Sequence, residues 1–131
     1  MRSFIAALIL FSSSNPIYAQ ECRCQSVAGS TESVYQTVTA SGRHMQLRFE
    51  ANPLTIDSNL GFLCVDPNAQ ISVAKLWMPD MGHGSSPTRL VRAGDACTKV
   101  ERVSFVMEGT WEIRVSLADG DAGTFSLDVA Q

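Results

Sequence analysis

Several features that would indicate other classes of protein are scarce in this sequence of 131 residues. Only 18% of the residues are charged, the formal net charge is −3, and lysine and arginine form no stripe, so the chain lacks the positive surface that neutralises nucleic-acid phosphates. Low-complexity tracts and helix-length amphipathic patterns are also missing, which excludes a disordered tail and a coiled coil. With 45% apolar residues, the composition is that of a globular domain with a folded core.

Long apolar runs are scarce as well, and the clearest one stands near the start of the chain. Residues 1–19 begin with Arg2, continue through the apolar run Phe4–Phe11 and end in small and polar residues before Ala19. This order is typical of a cleaved signal peptide. The run is much shorter than the roughly 20 residues that cross a bilayer, so we expect a periplasmic or secreted protein without a stable membrane anchor.

The chain has four cysteines, Cys22, Cys24, Cys64 and Cys97. An oxidising compartment favours disulfides between them. A Cys22–Cys24 bond would close a strained ring, so the sequence favours pairings that tie the N-terminal segment to the body of the domain, or a Cys64–Cys97 bond, and leaves this choice open. The functional alternative is a Cys-x-Cys thiolate site for a soft metal.

The rest of the chain reads as short β-strands separated by turns. We divide it into an N-terminal Cys-containing segment, 20–41, and a single β-sandwich domain, 42–131. Apolar and polar residues alternate most clearly from Trp111 to Leu117, with period 2. About seven such segments without a helical pattern predict an all-β, immunoglobulin-like antiparallel sandwich. The predicted strands are His44–Glu50, Leu60–Val65, Ile71–Trp77, Thr88–Val91, Cys97–Met107, Trp111–Leu117 and Thr124–Val129.

Soft metal donors are concentrated in one short segment. Met78, Met81 and His83 fall within six positions, although the chain has only five methionines and two histidines. Thioether sulfur suits Cu(I) and imidazole accepts either copper state, so together they bind copper without thiolates, which an oxidising compartment would consume. Met107, at the end of a predicted strand, is the best further donor. The predicted metal site is therefore Met78, Met81, His83 and Met107, with Cu(I) as the preferred ion.

Two motifs of this region resemble the YtkA-like/FixH-like domains. They are the run Met78-Pro79-x-Met81-Gly82-His83-Gly84-Ser85-Ser86-Pro87 and the run Phe105-x-Met107-x-Gly109-Thr110-Trp111-Glu112-Ile113-x-Val115. The resemblance covers roughly Leu54 to Val129. It implies a small exported β-sandwich with a role in copper handling, in which the four donors bind the metal. A copper carrier of this kind is expected to pass its ion to a copper-receiving protein of the cell envelope.

Other interpretations remain open at this point. Methionines at strand ends are often core residues, and the loop then serves only structure, or docks a protein partner as a metal-free interaction module of the periplasm. His44 and Met45 are a second pair of donors, but strand neighbours point to opposite faces, so at most one of them joins the first site. We find no nucleophile, base and acid in catalytic spacing, and we therefore expect a metallochaperone or sequestering protein and not an enzyme.

Overall fold

The structure is a computed structural model that describes Cys24 and residues 32–94 and 96–131. The predicted signal peptide and Cys22 lie outside these residues. Within them the chain forms nine β-strands, and no helix has the length and apolar character that a membrane span requires. The strands are β1 (Ser33–Val38), β2 (His44–Phe49), β3 (Ser58–Asp66), β4 (Ile71–Met78), β5 (His83–Gly84), β6 (Arg89–Arg92), β7 (Thr98–Ser104), β8 (Gly109–Leu117) and β9 (Ala122–Val129).

The strands form two antiparallel sheets. One has the order β1-β2-β3-β7-β6 and the other the order β5-β4-β8-β9. Strands β2-β3-β7-β6 and β4-β8-β9 follow each other as strands ABED and CFG do in an immunoglobulin constant-type domain. The predicted fold class, an all-β antiparallel sandwich, is confirmed, with β1 and β5 as strands that the sequence did not predict.

The inward and outward faces of the strands follow the alternation of the sequence. In β8, Trp111, Ile113, Val115 and Leu117 are buried, whereas Arg114 and Ser116 are exposed. The inward residues of both sheets form one continuous apolar core. Burial of these side chains provides the main driving force for the fold, at roughly 25 cal/mol per Å² of apolar surface.

Strand β1 lies within the segment 20–41, which was predicted to precede the sandwich domain. Ser33 to Val38 pair along their whole length with β2. Tyr35 packs edge-on against the ring of Phe49, with 6.3 Å between the ring centroids. Of its apolar residues only Tyr35 packs against the core, whereas Val34 and Val38 are exposed, so β1 lacks the alternation of apolar inward and polar outward residues that would reveal a strand.

A disulfide joins Cys24 to Cys97, whose Cα atoms lie 5.3 Å apart. Cys64 is also disulfide-bonded. The pairing therefore ties the N-terminal segment to the body of the domain, and the alternative Cys64–Cys97 bond is wrong. Because Cys24 is engaged in this bond, the Cys-x-Cys thiolate site is wrong as well.

Candidate metal centre

The segment with the methionines and His83 forms a hairpin between β4 and β5. Met78 ends β4, His83 begins β5, and the two residues are paired across the hairpin. In the turn between them, the backbone N–H groups of Met81 and Gly82 donate to the carbonyl of Met78, at 3.3 and 2.9 Å. Gly82 has a φ of +64°, a conformation that glycine adopts at little cost. The turn therefore brings two of the predicted donors opposite each other.

Met78 and His83 point to the inner side of their sheet. Paired residues of antiparallel strands have their side chains on the same face. Met78 is only 5% exposed and continues the buried row that Ala74 and Leu76 begin in β4. The half-buried His83 accordingly packs its ring edge-on against Trp111, with 5.9 Å between the centroids and 68° between the planes.

One nitrogen of the His83 ring already has a partner. Nδ1 lies 3.1 Å from the carbonyl oxygen of Gly84. A carbonyl oxygen only accepts hydrogen bonds, so Nδ1 is the donor in this contact, and in the neutral ring the lone pair is then on Nε2. Metal-binding histidines are commonly oriented in this way by a hydrogen bond from their other nitrogen. The contact with Gly84 therefore leaves Nε2 as the ring nitrogen for a metal.

Gly109 makes room for the end of the Met78 side chain. A Cβ atom at Gly109 would lie 2.7 Å from Cε of Met78, which is closer than real Cβ contacts, and φ of Gly109 is +130°. The thioether methyl of Met78 is therefore packed against the backbone where β8 begins. Met107 lies two residues before this point.

Met107 lies in the loop between β7 and β8 and not at the end of a strand. β7 ends at Ser104, and the next residue, Phe105, is buried with its ring centroid 5.4 Å from that of Trp111. The carbonyl of Met107 accepts a hydrogen bond of 2.9 Å from the indole N–H of Trp111. The Met107 side chain is 36% exposed. The backbone of Met107 is thus held by Trp111, while part of the residue is exposed to solvent.

Met81 has the most exposed side chain of the four predicted donors. It stands in the turn between β4 and β5 and is 56% exposed. The structure therefore places Met78, His83 and the Met107 loop together around Trp111 and Gly109, and leaves the Met81 thioether in solvent beside them. The roles of Trp111 and Gly109 were not predicted from the residues alone, although both lie in the Gly-Thr-Trp part of the second motif.

We call this part of the molecule the methionine end. It is the end of the sandwich formed by loops 50–57, 79–82 and 105–108. Loop 50–57 belongs to this end because the carbonyl of Leu54 accepts a hydrogen bond from the N–H of Ala130. Ala130 directly follows Val129, and Val129 pairs with Gly109 at the start of β8. The charged residues of these loops are Glu50, Asp57, Asp80 and Glu108, all acidic, and the loops contain no lysine or arginine.

The second pair of donors lies far from this end. His44 begins β2 opposite Asp66, at the other end of the sandwich. Met45 is buried in the core, and its methyl group lies against Gly123. Neither residue joins the methionine end. In the described part of the chain, no three His, Cys, Asp or Glu side chains are grouped so that they could hold a metal ion.

Comparisons of the chain with protein-family models, with curated proteins and with solved structures find no match. The resemblance to the YtkA-like/FixH-like domains therefore remains a prediction from the two motifs.

Proposed function

We propose that this protein is an exported copper-binding protein that takes up one Cu(I) ion and carries or sequesters it in the cell envelope. The observation that carries the proposal is the pairing of Met78 with His83 across the β4–β5 hairpin. It sets a buried thioether opposite an imidazole whose Nδ1 is engaged by the Gly84 carbonyl and whose Nε2 is left for a metal. Sulfur and imidazole nitrogen are the uncharged donors that suit Cu(I).

The remaining predicted donors supply the open side of the site. Met107 and Met81 are both exposed, so their thioethers are able to approach an ion that is held by Met78 and His83. An exposed thioether is also accessible to the donors of a receiving protein. Transfer then proceeds by ligand exchange, in which a donor of the copper-receiving envelope protein replaces Met81 or Met107 before the buried pair releases the ion.

The charges of the methionine end fit a cationic cargo. The donors themselves are neutral, so a bound Cu(I) ion keeps its positive charge. The charged residues of the three loops that define this end are all acidic, and acidic side chains attract cations. The disulfide between Cys24 and Cys97 is compatible with an exported protein and with a compartment where thiolate sites would be oxidised.

The experiment is an anaerobic titration of the folded protein with Cu(I) in the presence of a competing chelator. We expect one ion per chain, with affinity reduced by roughly 10-fold or more in Met78→Leu and His83→Gln, since even loss of a group that only orients a ligand costs about 10–100-fold. Met45→Leu is the matched control, because Met45 is equally buried but lies at the other end of the sandwich. It should bind copper as the parent does.

Two results would contradict the proposal. One is the absence of stoichiometric Cu(I) binding by the parent protein. The other is equal affinity for Zn(II), because zinc sites in proteins are built from thiolate, imidazole and carboxylate and not from thioethers.

A second function, the metal-free interaction module, is favoured by one observation. Met81 and Val106 are both more than half exposed and lie at the same end of the molecule. A contiguous patch of exposed apolar side chains is typical of a surface that docks a protein. The same titration separates the two functions, because the interaction module predicts no binding of copper by the parent.

A further inference from the structure

We infer that Trp111 is the positioning residue of the copper site, which holds the Met107 loop and the His83 imidazole in place before the metal binds. The inference rests on the proposed function. Trp111 itself does not bind the metal. Its effect on copper affinity is indirect and depends on His83 and the Met107 loop, which it contacts.

The hydrogen bond of the indole ties down the loop with Met107. Trp111 is fully buried, with no exposed side-chain surface. A buried indole N–H normally finds an acceptor, and here the acceptor is the carbonyl of Met107, at 2.9 Å. Because this carbonyl belongs to the residue whose thioether is a predicted donor, the bond fixes where the Met107 side chain starts.

The ring of the same residue supports the other half of the site. The imidazole of His83 packs edge-on against it, and Phe105, at the start of the Met107 loop, packs against it at a tilt of 59°. One side chain thus contacts both segments that provide donors. The two segments are distant in the sequence, because β6 and β7 lie between His83 and Met107 along the chain.

The backbone of Trp111 is suited to this role because it is held on both sides. β8 lies between β4 and β9, and Trp111 itself is paired with Leu127 of β9. The next residue, Glu112, is paired with Trp77 of β4. A donor set that is fixed through such a rigid strand loses less conformational freedom on binding than one formed by loops alone.

The experiment compares Cu(I) affinity in the parent, Trp111→Phe, Met107→Leu and the double variant. Phenylalanine keeps an aromatic ring against His83 but has no N–H for the Met107 carbonyl. We expect Trp111→Phe to weaken binding by about 10-fold, within the range of groups that orient metal ligands. In the Met107→Leu background the same change should have little further effect, because the loop then carries no thioether to position.

Trp77→Phe is the matched control. Trp77 is the other tryptophan, and its ring centroid lies 5.3 Å from the charged group of Lys75 and 4.9 Å from that of Arg114. Its side chain alternates with that of Met78 in β4 and therefore points to the opposite face of the sheet. It should leave copper affinity unchanged. An equal loss in the parent and in the Met107→Leu background, or full affinity in Trp111→Phe, would overturn the inference while the proposed function stands. Failure of the parent to bind copper would overturn both.

A measurement on the parent protein keeps the test valid if Trp111→Phe does not fold. The indole N–H resonance of Trp111 should exchange slowly with solvent and shift when one equivalent of Cu(I) is added, whereas that of Trp77 should stay in place. An unshifted Trp111 resonance in copper-loaded protein would overturn the inference.

Discussion

Replacement of Gly109 by alanine tests the packing on which the candidate site is built. The residue has a φ of +130°, which a non-glycine residue adopts at a cost of about 1–3 kcal/mol. The added Cβ would also lie 2.7 Å from Cε of Met78, so the thioether must leave part of its buried position. Loss of part of that burial adds about 1 kcal/mol. The expected destabilisation is therefore about 2–4 kcal/mol.

Thermal denaturation followed by circular dichroism measures this cost. In a domain of this size, each kcal/mol lowers Tm by about 4–8 °C, so Gly109→Ala should melt roughly 10–30 °C below the parent. Gly120→Ala is the control, because Gly120 also has a positive φ, +93°, but has no atom within 4 Å of an added Cβ. Gly120→Ala should therefore lower the free energy of unfolding only by the strain of the positive φ.

The coupling to Met78 distinguishes a local clash from general backbone strain. In a Met78→Ala background the side chain that meets the new Cβ is gone, so the cost of Gly109→Ala should fall to that of Gly120→Ala. Copper affinity of Gly109→Ala should also fall, since Met78 is displaced. If Gly109→Ala costs no more than Gly120→Ala, and if its cost is the same with and without Met78, the packing described here is refuted.

Two further predictions concern the frame of the domain. The Cys24→Ser/Cys97→Ser double variant should lose about 4 kcal/mol in chemical denaturation, because the bond closes a loop with a sequence separation of 73 residues, and a loss below about 1 kcal/mol would contradict this. Asp121 has a lowered pKa, mainly because the hydroxyl of Ser41 and then that of Thr39 donate to its carboxylate. A lowered folded-state pKa stabilises the protein above the ordinary carboxyl pKa of about 4 and less as the pH falls below it. Between pH 6 and pH 3, the urea midpoint of the parent should therefore fall more steeply than that of Asp121→Asn, and parallel curves would refute the role of this carboxylate.

The sequence predicts most clearly those strands whose residues alternate between core and solvent. β8 shows this best, because it lies inside its sheet and each inward residue is fully buried. β1 and β5 were not predicted, for two different physical reasons. β5 has two residues and no period, and β1 lies at the edge of its sheet, where few side chains reach the core.

The candidate site was predictable only in its local part. The sequence grouped Met78, Met81 and His83 in one short segment, but it did not predict the hairpin that pairs Met78 with His83. The contact of Met78 with Gly109 and the bond from Trp111 to the Met107 carbonyl depend on how β4 and β8 pair. Such long-range contacts follow from packing of the whole sandwich, and no local pattern encodes them. Burial of Met78 and exposure of Met81 are consequences of that packing.

X-ray absorption at the copper edge of protein loaded with one equivalent of Cu(I) tests the central claim most directly. Our account predicts a monovalent ion with sulfur and imidazole nitrogen in its coordination shell, with less sulfur scattering in Met78→Leu and none of the imidazole pattern in His83→Gln. A shell of nitrogen and oxygen alone, unchanged in both variants, would contradict it.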